Sequence, residues 1–188
     1  AGMPVMEGKA LIFKYLGDVD AFPICLGTKD ADQIVQAVRW IAPTFGGINL
    51  EDIDSPKCFQ VLQDLQKQLD IFVWHDDQQG TATVILAGLI NALKVAGKKI
   101  GEIQTTMLGA GAAGIPTARL LIEAGAKREN IMMVDSKGIL YSGRGDLDKW
   151  KAGIAKITNG EERKGGLEVA MKDSDVVIGI SKPGPGVI

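Results

Sequence analysis

A chain of 188 residues with 46% hydrophobic and 23% charged side chains has globular usage, enough for one ordinary domain or two small ones. Lys and Arg number 21 against 23 Asp and Glu, and the net charge of −2 lacks the basic excess that a nucleic-acid or anionic-membrane partner requires. Two cysteines and one histidine exclude a disulfide framework and any metal site built on paired histidines, and set a reducing, cytoplasmic location as the expectation.

The opening AGMPVMEGKA has neither the basic nor the apolar region of a secretion signal. It lacks Met at position 1, and the closing PGPGVI follows directly on a strand-like run, so a piece of a longer protein is expected. Ala10 to Phe13 reads as a small strand, followed by a turn at Gly17-Asp18 and a second apolar run from Phe22 to Leu26. Thr28 to Asp30 offers caps for a helix with Ile34, Val38 and Ile41 on one face, which Pro43 helps to end. Phe45 to Leu50 is the next strand and runs into Glu51-Asp52. Ser55-Pro56 reads as a capping serine with proline at the first helical position, ahead of a stripe of Cys58, Leu62, Leu65 and Leu69.

Ile71 to Trp74 is a short apolar strand ending at His75-Asp76-Asp77. Past a turn at Gly80, Thr81 to Ala96 is apolar nearly all round, which predicts a helix buried between layers and closed by Gly97. Its most apolar stretch, Ala82 to Ile90, is about half of a membrane span. There follow a strand at Ile103–Leu108, a Gly-rich turn, a helix at Ile115–Ala124 and a strand at Ile131–Val134. A polar region, a short helix from Leu167 and a strand at Val176–Ile180 complete the chain. Strands alternating with helices of this length predict an α/β fold: a Rossmann-like, mostly parallel sheet preceded by part of a smaller α/β domain. The boundary is expected near residues 74 to 80, dividing the chain into 1–75 and 76–188.

Glycine reaches 24 residues, nearly double the usual share, and one group of them carries chemistry. Leu108-Gly109-Ala110-Gly111-Ala112-Ala113-Gly114-Ile115 places GxGxxG directly after a predicted strand and directly before a helix. Gly109 permits the tight turn, Gly111 lets the backbone approach a pyrophosphate, and Gly114 lets helix and strand pack closely. The pyrophosphate then lies on the helix N-terminus, where N–H groups and the macrodipole favour an anion. Asp135 ends the next strand, 21 residues beyond Gly114, where an acid bonds the adenine ribose diol. An acid there favours NAD by repelling a 2′-phosphate, while Ser136 and Lys137 beside it leave NADP open.

Glu51-Asp52 follows one strand and His75-Asp76-Asp77 another. Carboxylates at strand ends gather at one sheet edge, and several oxygens there suit a hard divalent cation such as Mg²⁺ or Mn²⁺.

Several stretches together resemble the malic enzymes, particularly the smaller prokaryotic ones. They are Met3-Pro-Val-Met-Glu-Gly-Lys9, Phe22-Pro-Ile-Cys-Leu26, Phe45-Gly-Gly-Ile-Asn-Leu-Glu-Asp52, His75-Asp-Asp-Gln-Gln-Gly-Thr81, the Leu108–Gly114 turn and Val134-Asp-Ser-Lys-Gly138. The resemblance covers essentially the whole chain, with Gln79 where related sequences often carry histidine. It implies Glu51, Asp52 and Asp77 as metal ligands, Lys9 as catalytic lysine and Asp76 as the acid held beside that lysine. It also implies NAD or NADP at the Gly109–Gly114 turn, malate as substrate, and a homo-oligomer, a dimer. The implied reaction is oxidative decarboxylation of (S)-malate to pyruvate and CO₂, in which Lys9 as neutral amine takes the hydroxyl proton.

The proton-donating tyrosine of that family lies N-terminal to these motifs, and Tyr15 and Tyr141 do not match it. The chain alone is therefore expected to lack a complete active site. Ser181 to Gly184 is expected to approach the nicotinamide ribose. Two other readings are a non-catalytic dinucleotide-binding module and a dehydrogenase that does not decarboxylate; the metal carboxylates argue against the latter.

Overall fold

A computed structural model describes residues 2–181, which form two compact units divided between His75 and Asp76. Residues 182–184, expected near the nicotinamide, lie outside the described residues.

The first unit opens with helix α1, Met3–Gly17, where a strand over Ala10–Phe13 was expected. Proline in its first turn and a run of Met, Glu, Lys, Ala and Leu favour helix, and a four-residue apolar run has no periodicity of its own to oppose them. Asp18 in the left-handed conformation stops it, its N–H bonded back to the Lys14 carbonyl. Phe22 to Leu26 forms no strand; it runs as irregular chain, with the Phe22 ring 6.0 Å from that of Phe45.

Helix α2, Ala31–Ile41, starts at Asp30, whose carboxylate accepts from the Gln33 N–H at 2.9 Å. Strand β1 is Gly47–Leu50, helix α3 is Lys57–Gln68 and strand β2 is Phe72–His75. Ser55 does not cap α3; the helix begins two residues later, with Pro56 at its N-cap and no side-chain cap bond there. Strands β1 and β2 pair in parallel with Leu50 opposite His75. Ile34, Val35 and Val38 of α2 meet Val61, Leu62 and Leu65 of α3 around Leu50 and Val73, which is the core of this unit.

In the second unit Asp76–Gly80 is a π-helical turn where a bend at Gly80 was expected, and it runs without a break into α4, Thr81–Ala96. The resulting helix of 21 residues contains an 18-residue stretch with a mean hydropathy of 1.3, and is long and apolar enough to cross a membrane by length and composition. It is not enclosed between layers as its all-round apolar sequence predicts. Ala82, Leu89 and Leu93 are buried, while Val84 is 67% and Val95 91% exposed.

The sheet beyond it has the order β5-β4-β3-β6, from β3 (Thr105–Leu108), β4 (Ile131–Asp135), β5 (Gly138–Ile139) and β6 (Val176–Gly179). The β3 pairs with β4 and β6 are parallel, and β5 returns antiparallel to β4. Helix α5, Gly114–Glu123, lies over the face that carries Met133. Helix α7, Leu167–Met171, lies over the other face, where Leu108, Met132, Val134 and Ala170 form one apolar cluster. The Thr106 hydroxyl donates to the Ala170 carbonyl at 2.6 Å on that same side. Helix α6, Lys149–Ala155, and strand β5 lie in the stretch expected only as a polar region.

Candidate functional site

In the first unit the parallel register fixes where the carboxylates emerge. Leu50 and His75 face each other as the last residues of β1 and β2. Glu51 and Asp52 follow the one strand immediately, and Asp76 and Asp77 follow the other in the chain. His75 is fully buried, in keeping with a structural place beneath the strand ends.

Lys9 of α1 reaches Glu51, Nζ to Oε2 at 3.1 Å, with 8% of the Glu51 side chain exposed. Asn49 Nδ2 donates to the same oxygen at 3.4 Å. A carboxylate this enclosed needs a cation or donors around it, and Lys9 and Asn49 supply both. Lys9 and Glu51 are thus together, 42 residues apart in the chain. Asp52 is exposed and holds φ at 53°, a conformation its short polar side chain tolerates.

Asp76 opens the π-helical turn of the second unit, and its carboxylate folds back over Gly80. A Cβ at Gly80 would run into Asp76 Oδ1, so a side chain there would displace the Asp76 carboxylate from its present place. Gln78, between the two ends of the turn, is 3% exposed. Asp77 is half-buried.

The Gly-rich turn has the geometry its sequence predicts. The Gly109 N–H donates to the Val134 carbonyl at 2.9 Å, tying the end of β3 to β4. Gly109 holds φ at 123°, and a Cβ there would lie 2.7 Å from the Ile180 carbonyl oxygen. A Cβ at Gly114 would collide with the Gly109 carbonyl, so the two glycines let the helix start against the strand end. Gly111 has nothing within 4 Å of its Cβ position, which leaves the approach to the backbone open. Ala113 precedes α5 and no side chain caps the helix. Its first N–H groups are the donors that an anionic pyrophosphate takes. Ala110 and Ile115 are buried beneath the turn, while Ala112 and Ala113 are half-buried.

Asp135 ends β4 as expected, but its carboxylate is heavily engaged. Oδ2 accepts from Lys151 Nζ at 2.8 Å and from Arg144 Nη2 at 3.0 Å, and Oδ1 accepts from the Lys137 N–H at 3.0 Å. Burial alone would raise its pKa; Lys151, the Lys137 N–H and Arg144 together outweigh that and hold it below the usual carboxylate range. Arg144 also donates Nε to Asp146 Oδ1 at 2.7 Å and Nη1 to the Gly138 carbonyl at 3.1 Å. Its hydrogen bond to Asp146 does most to raise its own pKa and to lower that of Asp146. Ser136 and Lys137 are exposed, and Lys137 Nζ lies 2.9 Å from Asp146. Arg144 and Lys151 were not singled out from sequence; the only local signals are an arginine between two glycines and an Asp148 that caps α6.

The chain matches two family models, "Malic enzyme, N-terminal domain" over residues 28–66 and "Malic enzyme, NAD binding domain" over residues 78–184. It is 50% identical over 98% of its length to a protein named NAD-dependent malic enzyme from Geobacillus stearothermophilus, and covers 38% of that protein. It is 43% identical over 98% of its length to one named NADP-dependent malic enzyme from Haemophilus influenzae, covering 24% of it. The crystal structure of malic enzyme from Pyrococcus horikoshii Ot3 superposes with a TM-score of 0.94 at 55% identity, over 100% of this chain and 45% of that one. The chain therefore spans less than half the length of each of these proteins.

Proposed function

The chain belongs to the malic enzyme family, matched over more than half of its residues, and from that premise we propose that it serves metal-dependent oxidative decarboxylation of (S)-malate to pyruvate and CO₂ with reduction of NAD or NADP. We assign malate and the metal to the first unit together with Asp76 and Asp77, and the dinucleotide to the Gly109–Gly114 turn. The observation that carries this reading is the in-register pairing of β1 with β2, with carboxylates following both strands at once.

Glu51, Asp52 and Asp77 would hold a divalent cation. Their donors are all carboxylate oxygens, the set that Mg²⁺ and Mn²⁺ prefer. When bound, such an ion supplies Lewis acidity toward the hydroxyl and carboxylate of a 2-hydroxy acid.

Lys9 takes the C2 hydroxyl proton as hydride leaves C2 for the nicotinamide, a role supported by its contact with Glu51. Asp76, braced against Gly80, serves orientation and proton relay. Backbone N–H groups at the start of α5 hold the pyrophosphate, and Gly111 leaves them accessible. The β-keto acid loses its C4 carboxylate as CO₂, and the resulting enolate is protonated at C3 by an acid that none of the residues above provides. Resemblance to the family also supports a homodimer.

Manganese binding followed by electron paramagnetic resonance tests the metal assignment. Asp77→Asn is expected to weaken Mn²⁺ at least tenfold; unchanged affinity would remove Asp77 from the site.

A further inference from the structure

The cation network around Asp135 bears on which dinucleotide the second unit takes. An acid at the end of this strand accepts the ribose diol of NAD and repels the 2′-phosphate of NADP only while its oxygens and its charge are available. Here they are not. A carboxylate has about four acceptor positions. Asp135 accepts at three of them, from the Lys137 N–H at 3.0 Å, Arg144 Nη2 at 3.0 Å and Lys151 Nζ at 2.8 Å, and the same Arg144 nitrogen lies 2.9 Å from its other oxygen. Only 9% of its side chain is exposed.

Two full positive charges face the one negative charge, and residues 135–151 hold four cations, Lys137, Arg144, Lys149 and Lys151, against Asp135, Asp146 and Asp148. Arg144 is pinned as well as paired. Its donors reach the Gly138 and Ile139 carbonyls and Asp146, which hold the guanidinium beside Asp135. Lys151 differs: its side chain is 26% exposed and its ammonium can share its three protons with an incoming phosphate.

We propose that Arg144 and Lys151 decide cofactor choice by neutralising Asp135 and occupying most of its acceptor positions, so that this unit binds a dinucleotide carrying a 2′-phosphate at least as tightly as one without it. The inference rests on the reading of the Gly109–Gly114 turn as the dinucleotide site, and goes beyond it by naming the residues that select the ligand.

Titration calorimetry of the chain with 5′-AMP and with 2′,5′-ADP tests it. The unaltered chain is expected to bind 2′,5′-ADP as tightly as 5′-AMP or more so. Lys151→Gln, a change at a partly exposed side chain, is expected to shift the ratio of the two dissociation constants at least tenfold toward 5′-AMP. Arg144→Gln should shift it the same way, and circular dichroism checks that its fold is kept. Tighter binding of 5′-AMP by the unaltered chain, or a ratio unchanged in Lys151→Gln, would overturn the inference and leave the dinucleotide site standing. Binding of neither probe would overturn both.

Discussion

Gly114 shows how a single position can serve stability and ligand binding together. Its missing Cβ is the space that the Gly109 carbonyl occupies, at the point where α5 starts against β3. Gly114→Ala is expected to cost about 1–3 kcal/mol by overpacking, read as a lower melting temperature, and to weaken nucleotide binding because the first N–H groups of α5 shift. Asp135 acts through charge. Its pKa is lowered on folding, so its contribution to stability is complete above the unfolded value of about 3.9 and fades as the pH falls through the lower folded value. Urea unfolding at pH 7 and pH 3 should therefore show a smaller pH difference in Asp135→Asn than in the unaltered chain. The acid-side loss disappears when the ionisable group does.

At the scale of elements, caps and core faces govern. Asp148 accepts from the Trp150 N–H at 2.8 Å and the Lys151 N–H at 3.0 Å, so it starts the helix that delivers Lys151 to Asp135. Asp148→Ala is expected to destabilise the second unit by about 1 kcal/mol, measured by denaturant titration. Leu65 of α3 is fully buried in the first core, and Leu65→Ala should cost about 2–5 kcal/mol by the same measurement.

Elements differ in how far the sequence alone reveals them. The Gly109–Gly114 turn is legible because consecutive residues determine its backbone, and α2 because Asp30 and three spaced apolar residues mark one start and one face. The run Ala10–Phe13 misleads because four apolar residues fit either period, and the helix formers around them decide. Helix α4 is found at Thr81–Ala96, the residues its pattern marks, but its burial is not, since apolar residues state what a helix can cover and not which partners are present. Arg144 and Lys151 lie 9 and 16 residues from Asp135 in a polar stretch, where pairing depends on how β5 and α6 fold back.

The whole molecule joins two units, each with its own sheet and core, and the family models divide along much the same line. Lys9 and Glu51 meet inside the first unit, and the Gly-rich turn with Asp135 lies inside the second. The proposed oxidation of malate calls for a base beside carboxylates that prefer a hard cation, and for a backbone cradle for a dinucleotide. The exposed apolar side chains of α1 and α4, Leu11, Leu16, Val84 and Val95 among them, belong to a chain that spans less than half of its relatives. The most direct test follows nicotinamide absorbance with (S)-malate and Mn²⁺ on the longest form of the protein that can be produced, with and without EDTA, in unaltered protein and in Asp77→Ala. The account predicts malate-dependent reduction yielding pyruvate, abolished by EDTA and lowered at least a hundredfold in Asp77→Ala. Reduction that persists in EDTA, or that leaves malate's carboxylates intact, would contradict it.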